Sequence, residues 1–137
     1  MSEKHLNLTA MSNAISRLQE GIKRYELDTS DSQIRDGLIQ RFEFTYEITH
    51  KMLKRYLELS SANPDGIDAL TFQDLIRSGN EQGLLRTDWP SWKIFRDMRS
   101  KTSHTYDEAI ALEVVSQIPS FLLEAKHLYS HLQQRQA

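Results

Sequence analysis

The chain contains no cysteine, only three prolines and only five glycines among its 137 residues. The lack of cysteine excludes a disulfide framework, a thiolate metal ligand and a thiol nucleophile. No glycine-rich phosphate-binding loop is present. The polar start Met1-Ser2-Glu3-Lys4-His5 has no signal-peptide apolar segment, and no apolar run approaches the roughly 20 residues of a membrane span. The sequence therefore predicts a cytoplasmic protein without membrane contact.

Charge and length set further bounds. The chain has 17 Lys and Arg against 19 Asp and Glu, a net charge of −2, so any contact with nucleic acid must be a local patch. With 137 residues, 39% of them hydrophobic, we predict a single domain over residues 1–137, with its core at about 8–132. We expect no metal or other cofactor. His127 and His131 have a metal-ligand spacing, but no carboxylate is placed to complete a site.

Helical periodicity dominates what is present. A capping-box spacing opens one helix at Thr71 and another at Thr105, and Asp88-Trp89-Pro90 is a typical helix start. Proline and glycine mark residues 60–66 as a loop, and Pro119 predicts a kink in the last helix. We predict an all-α, antiparallel up-and-down four-helix bundle with one additional short helix. Three of the predicted helices cover about residues 8–27, 31–60 and 105–132. A shorter one begins at 71 and ends between 79 and 83, and another begins at 88.

The long second helix is apolar on more than one side. Its main stripe is widened by a further set of apolar residues, Ile39, Phe44, Tyr46, Ile48, Met52 and Leu57. Such a helix is either central in its bundle or lies against a second subunit. We therefore expect a homodimer formed through this helix and the region 99–106.

The stretch from Arg99 to Tyr106 is the clearest candidate for chemistry. Arg99 carries a permanently charged guanidinium, His104 an imidazole that titrates near neutral pH, and Tyr106 a phenol. Arginine holds a phosphate through two parallel hydrogen bonds. Histidine can take a proton from a ribose hydroxyl or give one to a departing oxygen. These residue types suit RNA cleavage without a metal ion.

The spacing in this stretch also requires a break in the helix. In one unbroken helix, five steps of roughly 100° would place Arg99 and His104 on different faces. The intervening hydroxyl residues favour helix ends and turns, because they compete for backbone hydrogen bonds. The sequence thus predicts a break that lets the two side chains converge.

Two charge patterns lie near this stretch. Residues 93–104 hold four basic side chains and one acidic one, a balance of +3, which favours Arg96, Lys101 and neighbouring Ser100 as substrate-binding residues. The alternative is an ordinary solvated face.

Glu47 and Lys51 have the favourable order for a salt bridge within a helix. They form either a surface pair or part of the site, with Lys51 adding positive charge and Glu47 orienting Arg99 or His104.

Three segments resemble one family. Residues 35–47 resemble the second helix of the small bacterial nucleotidyltransferase substrate-binding proteins, a branch of the HEPN superfamily. Residues 99–108 resemble its later signature, and 118–122 its closing helix. The resemblance extends from about residue 8 to residue 132.

The resemblance implies roles for several residues. HEPN ribonuclease toxins have Arg-x4-6-His, matched by Arg99 and His104, and some have Glu-x3-Lys, matched by Glu47 and Lys51. In toxins paired with a minimal nucleotidyltransferase (MNT) antitoxin, the pattern continues to a tyrosine that the antitoxin modifies with AMP, which Tyr106 matches. Such proteins are dimers whose two motifs line a shared cleft. Ser100 departs from the asparagine common after the arginine.

Two functions follow as expectations. The first is a toxin, a metal-independent endoribonuclease neutralised by a cognate MNT protein. The alternative is a non-catalytic subunit that presents a substrate or nucleotide to a partner nucleotidyltransferase. The sequence shows no aromatic platform or base-reading motif, so it predicts no base preference.

Overall fold

The computed structural model describes residues 5–136 and confirms the all-α prediction. This part of the chain forms six α-helices and one 3₁₀ turn, at Thr102–His104. No helix within it is long and apolar enough to cross a bilayer. The helices are α1 Thr9–Leu27, α2 Ser32–Ser60, α3 Pro64–Asp68, α4 Phe72–Glu81, α5 Trp89–Lys101 and α6 Glu108–Gln136.

Side-chain caps fix where the helices start. Asp31 accepts hydrogen bonds from the backbone N–H groups of the second and third residues of α2, and Thr71 accepts one from Asp74 in α4. Asp88 caps α5, with Pro90 in its first turn. Gly83 ends the α4 region in the left-handed conformation, with φ of 75°, which glycine adopts without a steric penalty. These local signals explain why the predicted starts of α2, α4 and α5 agree with the structure.

Three local predictions were wrong. The predicted loop at 60–66 includes the start of α3, where Asn63 caps a single short helix opened by Pro64. The cap of α6 is Asp107, whose carboxylate accepts from the backbone N–H groups of residues 109 and 110, and not Thr105. The Thr105 hydroxyl instead donates to the Thr102 carbonyl at 3.3 Å, inside the preceding turn. Helix α6 runs through Pro119 without interruption to Gln136, four residues past its predicted end at 132.

Helix α2 lies at the centre of the bundle. It contacts α1 and α6 along its length and also meets α3, α4, α5 and the 3₁₀ turn. Most of its extra apolar residues are therefore buried within the chain itself: Ile39, Tyr46, Met52 and Leu57. Phe44 stays partly exposed. The central position of α2 accounts for its broad apolar face, so that face no longer argues for a second subunit.

The core between α2, α5 and α6 is aromatic. Phe121 of α6 packs edge to face against Phe42, Trp92 and Phe95, with ring centroids 5.3 to 5.9 Å apart. Such tilted contacts between large rings stabilise a core beyond the area they bury. They hold α5 firmly against α2, which fixes the position of residues at the C-terminal end of α5.

One buried carboxylate joins α6 to the start of α5. Glu124 is fully buried and accepts hydrogen bonds from the backbone N–H groups of Arg86 and Thr87 at 2.7 and 3.0 Å. It also accepts from the Thr87 hydroxyl and, at 2.8 Å, from the Trp92 indole. A charge can be buried in this way because every donor around it is aimed at it. Glu124 therefore anchors the segment that leads into α5.

Candidate active site at the end of α5

Arg99 lies near the C-terminal end of α5 and faces two carboxylates on α2. One terminal guanidinium nitrogen, Nη2, forms an ion pair with Glu47, and the other, Nη1, lies 3.6 Å from Glu43. The two glutamates are four residues apart and so occupy one face of α2. Glu43 was missed by the sequence analysis, although its position one turn before Glu47 was a usable signal.

Thr102 holds Arg99 from the other side. Its side-chain hydroxyl accepts a hydrogen bond from Arg99 Nη1 at 3.1 Å and donates one to the Arg99 carbonyl oxygen at 2.7 Å. Thr102 is itself buried. Thr102 was expected only to favour the end of the helix, but the break also brings its hydroxyl against the guanidinium.

The guanidinium retains unused binding capacity. About 31% of the Arg99 side chain is exposed, and its Nε is buried without a hydrogen-bond partner among the described residues. Glu47 is more exposed still, at 61%. A guanidinium offers five N–H donors, so Arg99 can be held by Glu47 and Thr102 and still bind a further anion.

His104 ends the 3₁₀ turn and is exposed. The predicted break is present, since α5 ends at Lys101 and the turn follows. Within residues 5–136, no hydrogen bond or ion pair joins His104 to Arg99, and the convergence of the two side chains stays a prediction. The His104 ring instead lies near the Tyr106 ring, with centroids 6.0 Å apart. Tyr106 is 86% exposed and points its phenol to solvent.

The other predicted residues are two lysines and two residues that line a groove. Lys101 is paired with Glu113 of α6, and Lys51 is exposed without an ion pair in the described part of the chain. Of the two alternatives for Glu47, the surface pair with Lys51 is not formed, and Glu47 pairs with Arg99. Arg96 and Ser100 line a groove beside Arg99.

That groove contains aromatic residues that the sequence analysis did not single out as part of a site. It is lined by Tyr46 and His50 of α2, Phe72 of α4, and Arg96, Arg99 and Ser100 of α5. Three separate helices supply these side chains, so no local pattern could have joined them. The sequence alone shows no aromatic platform, because the rings of Tyr46 and Phe72 come to lie beside Arg99 only through the packing of the helices.

The two C-terminal histidines contact each other and the backbone. The rings of His127 and His131 stack with centroids 4.0 Å apart. Their Nδ1 atoms lie 3.0 Å from the Leu84 carbonyl and 2.8 Å from the His127 carbonyl. Residues 5–136 contain no group of three side chains that could hold a metal ion.

The helical bundle and the Arg99-x4-His104 spacing at its exposed edge define an all-α protein of the HEPN type. Residues 6–134 match the family described as "nucleotidyltransferase substrate binding protein like". The chain belongs to this family.

Individual relatives agree with that assignment. A protein of Haemophilus influenzae named probable ribonuclease HepT is 39% identical, over 98% of this chain and 97% of that protein. The structure of HI0074 from the same organism, described as the fold of a substrate-binding domain of a nucleotidyltransferase, has a TM-score of 0.86. It is 36% identical and covers 93% of this chain and 99% of its own. A crystal structure from Thermus thermophilus has a TM-score of 0.70 at 29% identity, covering 89% and 98%.

Proposed function

We propose that this protein is a HEPN-type toxin, a metal-independent endoribonuclease neutralised by a cognate minimal nucleotidyltransferase. The observation that carries the proposal is the Arg99 guanidinium, which Thr102 and Glu47 hold in place while about 31% of the side chain stays exposed to an anion. The exposed imidazole of His104 follows in the adjoining turn. The relative named probable ribonuclease HepT supports the same activity.

The reaction needs a base, an acid and a charge stabiliser. Neutral His104 takes the proton of a ribose 2'-hydroxyl, whose oxygen then bonds to the adjacent phosphorus. The bond from phosphorus to the 5'-oxygen breaks, and that oxygen takes a proton from a second imidazole. The products are a 2',3'-cyclic phosphate and a 5'-hydroxyl. Arg99 stabilises the charge that gathers on the phosphorane oxygens. Glu47 acts through Arg99 as a positioning residue. In this proposal, neighbouring phosphates are bound by Lys51, Lys101 and Ser100.

The second imidazole comes from a second copy of the chain. A single copy exposes one His104 on its surface, and no hydrogen bond or ion pair joins it to Arg99 in residues 5–136. A homodimer that brings the two turns at 102–104 together would supply both the acid and the base. The partly exposed Phe44 lies on the same outer side of α2 as Lys51 and is available to such an interface.

Tyr106 is the proposed control point. In the modification, the Tyr106 phenol oxygen attacks the α-phosphorus of ATP in the partner's active site, pyrophosphate leaves, and the phenolic proton passes to a base of that enzyme. The attached AMP carries a phosphodiester charge that Arg99 can bind, so it occupies the place of the substrate phosphate. Exposure of 86% makes the phenol accessible to a partner enzyme.

Cleavage of RNA by the purified chain tests the activity. We expect cleavage to persist in EDTA and to leave cyclic phosphate ends. The His104→Ala variant should lose about 10² to 10⁴ in rate. The His5→Ala variant, altered at an exposed histidine outside the helices, is the matched control and should keep its activity. Equal rates for the two variants would place the catalytic base elsewhere.

Expression and mass measurements test the control point. Growth arrest on expressing this chain alone is expected of a toxin and not of a substrate-presenting subunit. Co-expression with the partner should relieve the arrest and add the mass of one adenylyl group. The Tyr106→Phe variant should stay unmodified and toxic. If the partner still modifies and neutralises that variant, Tyr106 is not the switch.

A further inference from the structure

The groove beside Arg99 has the size and the lining of a ligand site. Its volume of about 330 Å³ is at the lower end of the roughly 300 to 1,000 Å³ found for small-molecule sites. Arg99 contributes to its edge, so the groove is continuous with the proposed phosphate position. A ligand that fills it would therefore extend from a phosphate on Arg99.

Its walls offer flat surfaces backed by a rigid support. The guanidinium of Arg96 lies over the Phe72 ring, with its central carbon 5.1 Å from the ring centroid. Phe72 is supported edge to face by His50, at 4.8 Å, and by both tryptophans of the chain at 5.9 and 6.2 Å. Nucleobases in single-stranded RNA stack on such aromatic rings and on guanidinium planes.

Two polar side chains of the groove, His50 and Tyr46, are neutral and can both donate and accept hydrogen bonds. Burial lowers the pKa of His50, and the charges of Lys54 and Arg96 lower it further. The imidazole thus keeps one N–H donor and one acceptor at neutral pH. Burial raises the pKa of Tyr46 to about 12, against the opposing effect of Arg96 and Arg99, so its phenol stays protonated. A base edge or a ribose hydroxyl matches these groups.

We propose that this groove binds the nucleoside that adjoins the phosphate held by Arg99. Arg96 and Phe72 form the stacking surface, and His50 with Tyr46 supplies hydrogen bonds to the base edge or ribose. The ligand is one nucleoside monophosphate unit, and we assign it to an RNA chain. The assignment rests on the proposed function for the identity of that chain, but binding in the groove does not require cleavage.

Binding to the full-length His104→Ala protein tests the groove without cleavage. The probe is a labelled single-stranded oligoribonucleotide followed by fluorescence anisotropy, with unlabelled AMP as competitor. Adding Arg96→Ala should weaken binding about tenfold, as expected for the loss of one stacked base, and adding His50→Ala should weaken it about fivefold, as expected for the loss of one hydrogen bond. The matched control is Arg77→Ala, which removes the same charge from an exposed position on α4 outside the groove. The conservative His50→Gln change should recover most of the affinity, because glutamine also donates and accepts.

Each outcome has a distinct meaning. Equal affinities for the His50→Ala, Arg96→Ala and Arg77→Ala proteins, with unchanged thermal unfolding, would overturn the groove as a nucleoside site. Displacement of the RNA by AMP at the concentration at which the RNA itself binds would overturn the assignment to an RNA chain in favour of a free nucleotide. If the groove variants lose RNA binding while the protein with intact His104 cleaves nothing, the groove stands and the proposed ribonuclease function fails.

Discussion

A polar side chain with several partners lies at each end of α5, Glu124 of α6 at the N-terminal end and Arg99 of α5 itself at the C-terminal end, but the two are held in opposite ways. At the N-terminal end, Glu124 is completely buried, and four donors occupy its two oxygens. At the C-terminal end, Arg99 is partly exposed, its Nε has no partner in the described residues, and its partner Glu47 is mostly in solvent.

The difference separates structural from reactive polar clusters. A buried polar group that is fully hydrogen-bonded stabilises one conformation and has nothing left to offer a ligand. An exposed cluster with unused donors contributes little to stability, because solvent screens its charges, but it can exchange partners. We therefore expect substitutions at Glu124 to affect folding and substitutions around Arg99 to affect activity.

The largest expected effect is on folding. The Glu124→Ala variant leaves the indole N–H of fully buried Trp92 without an acceptor, so the free energy of unfolding should fall by about 3 kcal/mol. Urea denaturation followed by circular dichroism measures this change. The control is Glu113→Ala on the same helix, where the exposed pair with Lys101 should contribute less than about 1 kcal/mol. Similar losses for the two variants would show that the buried Glu124 cluster stabilises the fold no more than an exposed ion pair does.

The next effect is on catalysis. The Arg99→Lys variant keeps the charge but loses the planar fork, and RNA cleavage should fall about 10²-fold at unchanged thermal stability. The same exchange at Arg77, an exposed residue outside the groove, serves as the control. A variant that unfolds at a clearly lower temperature would show that Arg99 is structural, like Glu124.

The smallest expected effect tests whether Thr102 positions Arg99 or contacts the substrate directly. Thr102→Val keeps the shape of the buried side chain but removes its hydrogen bonds to the guanidinium and the Arg99 carbonyl. Losing about 1 kcal/mol of the hydrogen-bond energy that positions Arg99 should lower kcat about fivefold with little change in KM. Thr102→Ser should restore kcat, and Ser103→Ala in the same turn should have no effect. A rise in KM alone would instead indicate direct contact between Thr102 and the substrate.

The helices were predictable because their signals are local. Asp31, Thr71 and Asp88 each cap a helix within the window of sequence that identifies them. The cap of α6 was assigned wrongly because Thr105 and Asp107 are both residue types that cap helices. The Thr105 hydroxyl is not available as a cap, since it donates to the Thr102 carbonyl of the preceding turn. Helix α3 was missed because Pro64 opens a helix as readily as it interrupts one.

The site was predictable only in part. Arg99, His104 and Tyr106 lie in one short stretch, whereas the pairing of Arg99 with Glu47 joins residues 52 positions apart. Sequence spacing offered Glu47 two partners, and the structure shows that the distant one prevails over Lys51. The groove of His50, Phe72 and Arg96 depends on how three helices pack, which periodicity does not specify.

The exposure of Tyr106 also has a kinetic consequence. Its phenol is in solvent while every helix around it is folded, so a reagent or enzyme that acts on it meets the native chain. No local opening of the bundle has to precede that reaction. Substitutions that stabilise or destabilise the core should leave the rate constant of that reaction unchanged as long as the chain stays folded.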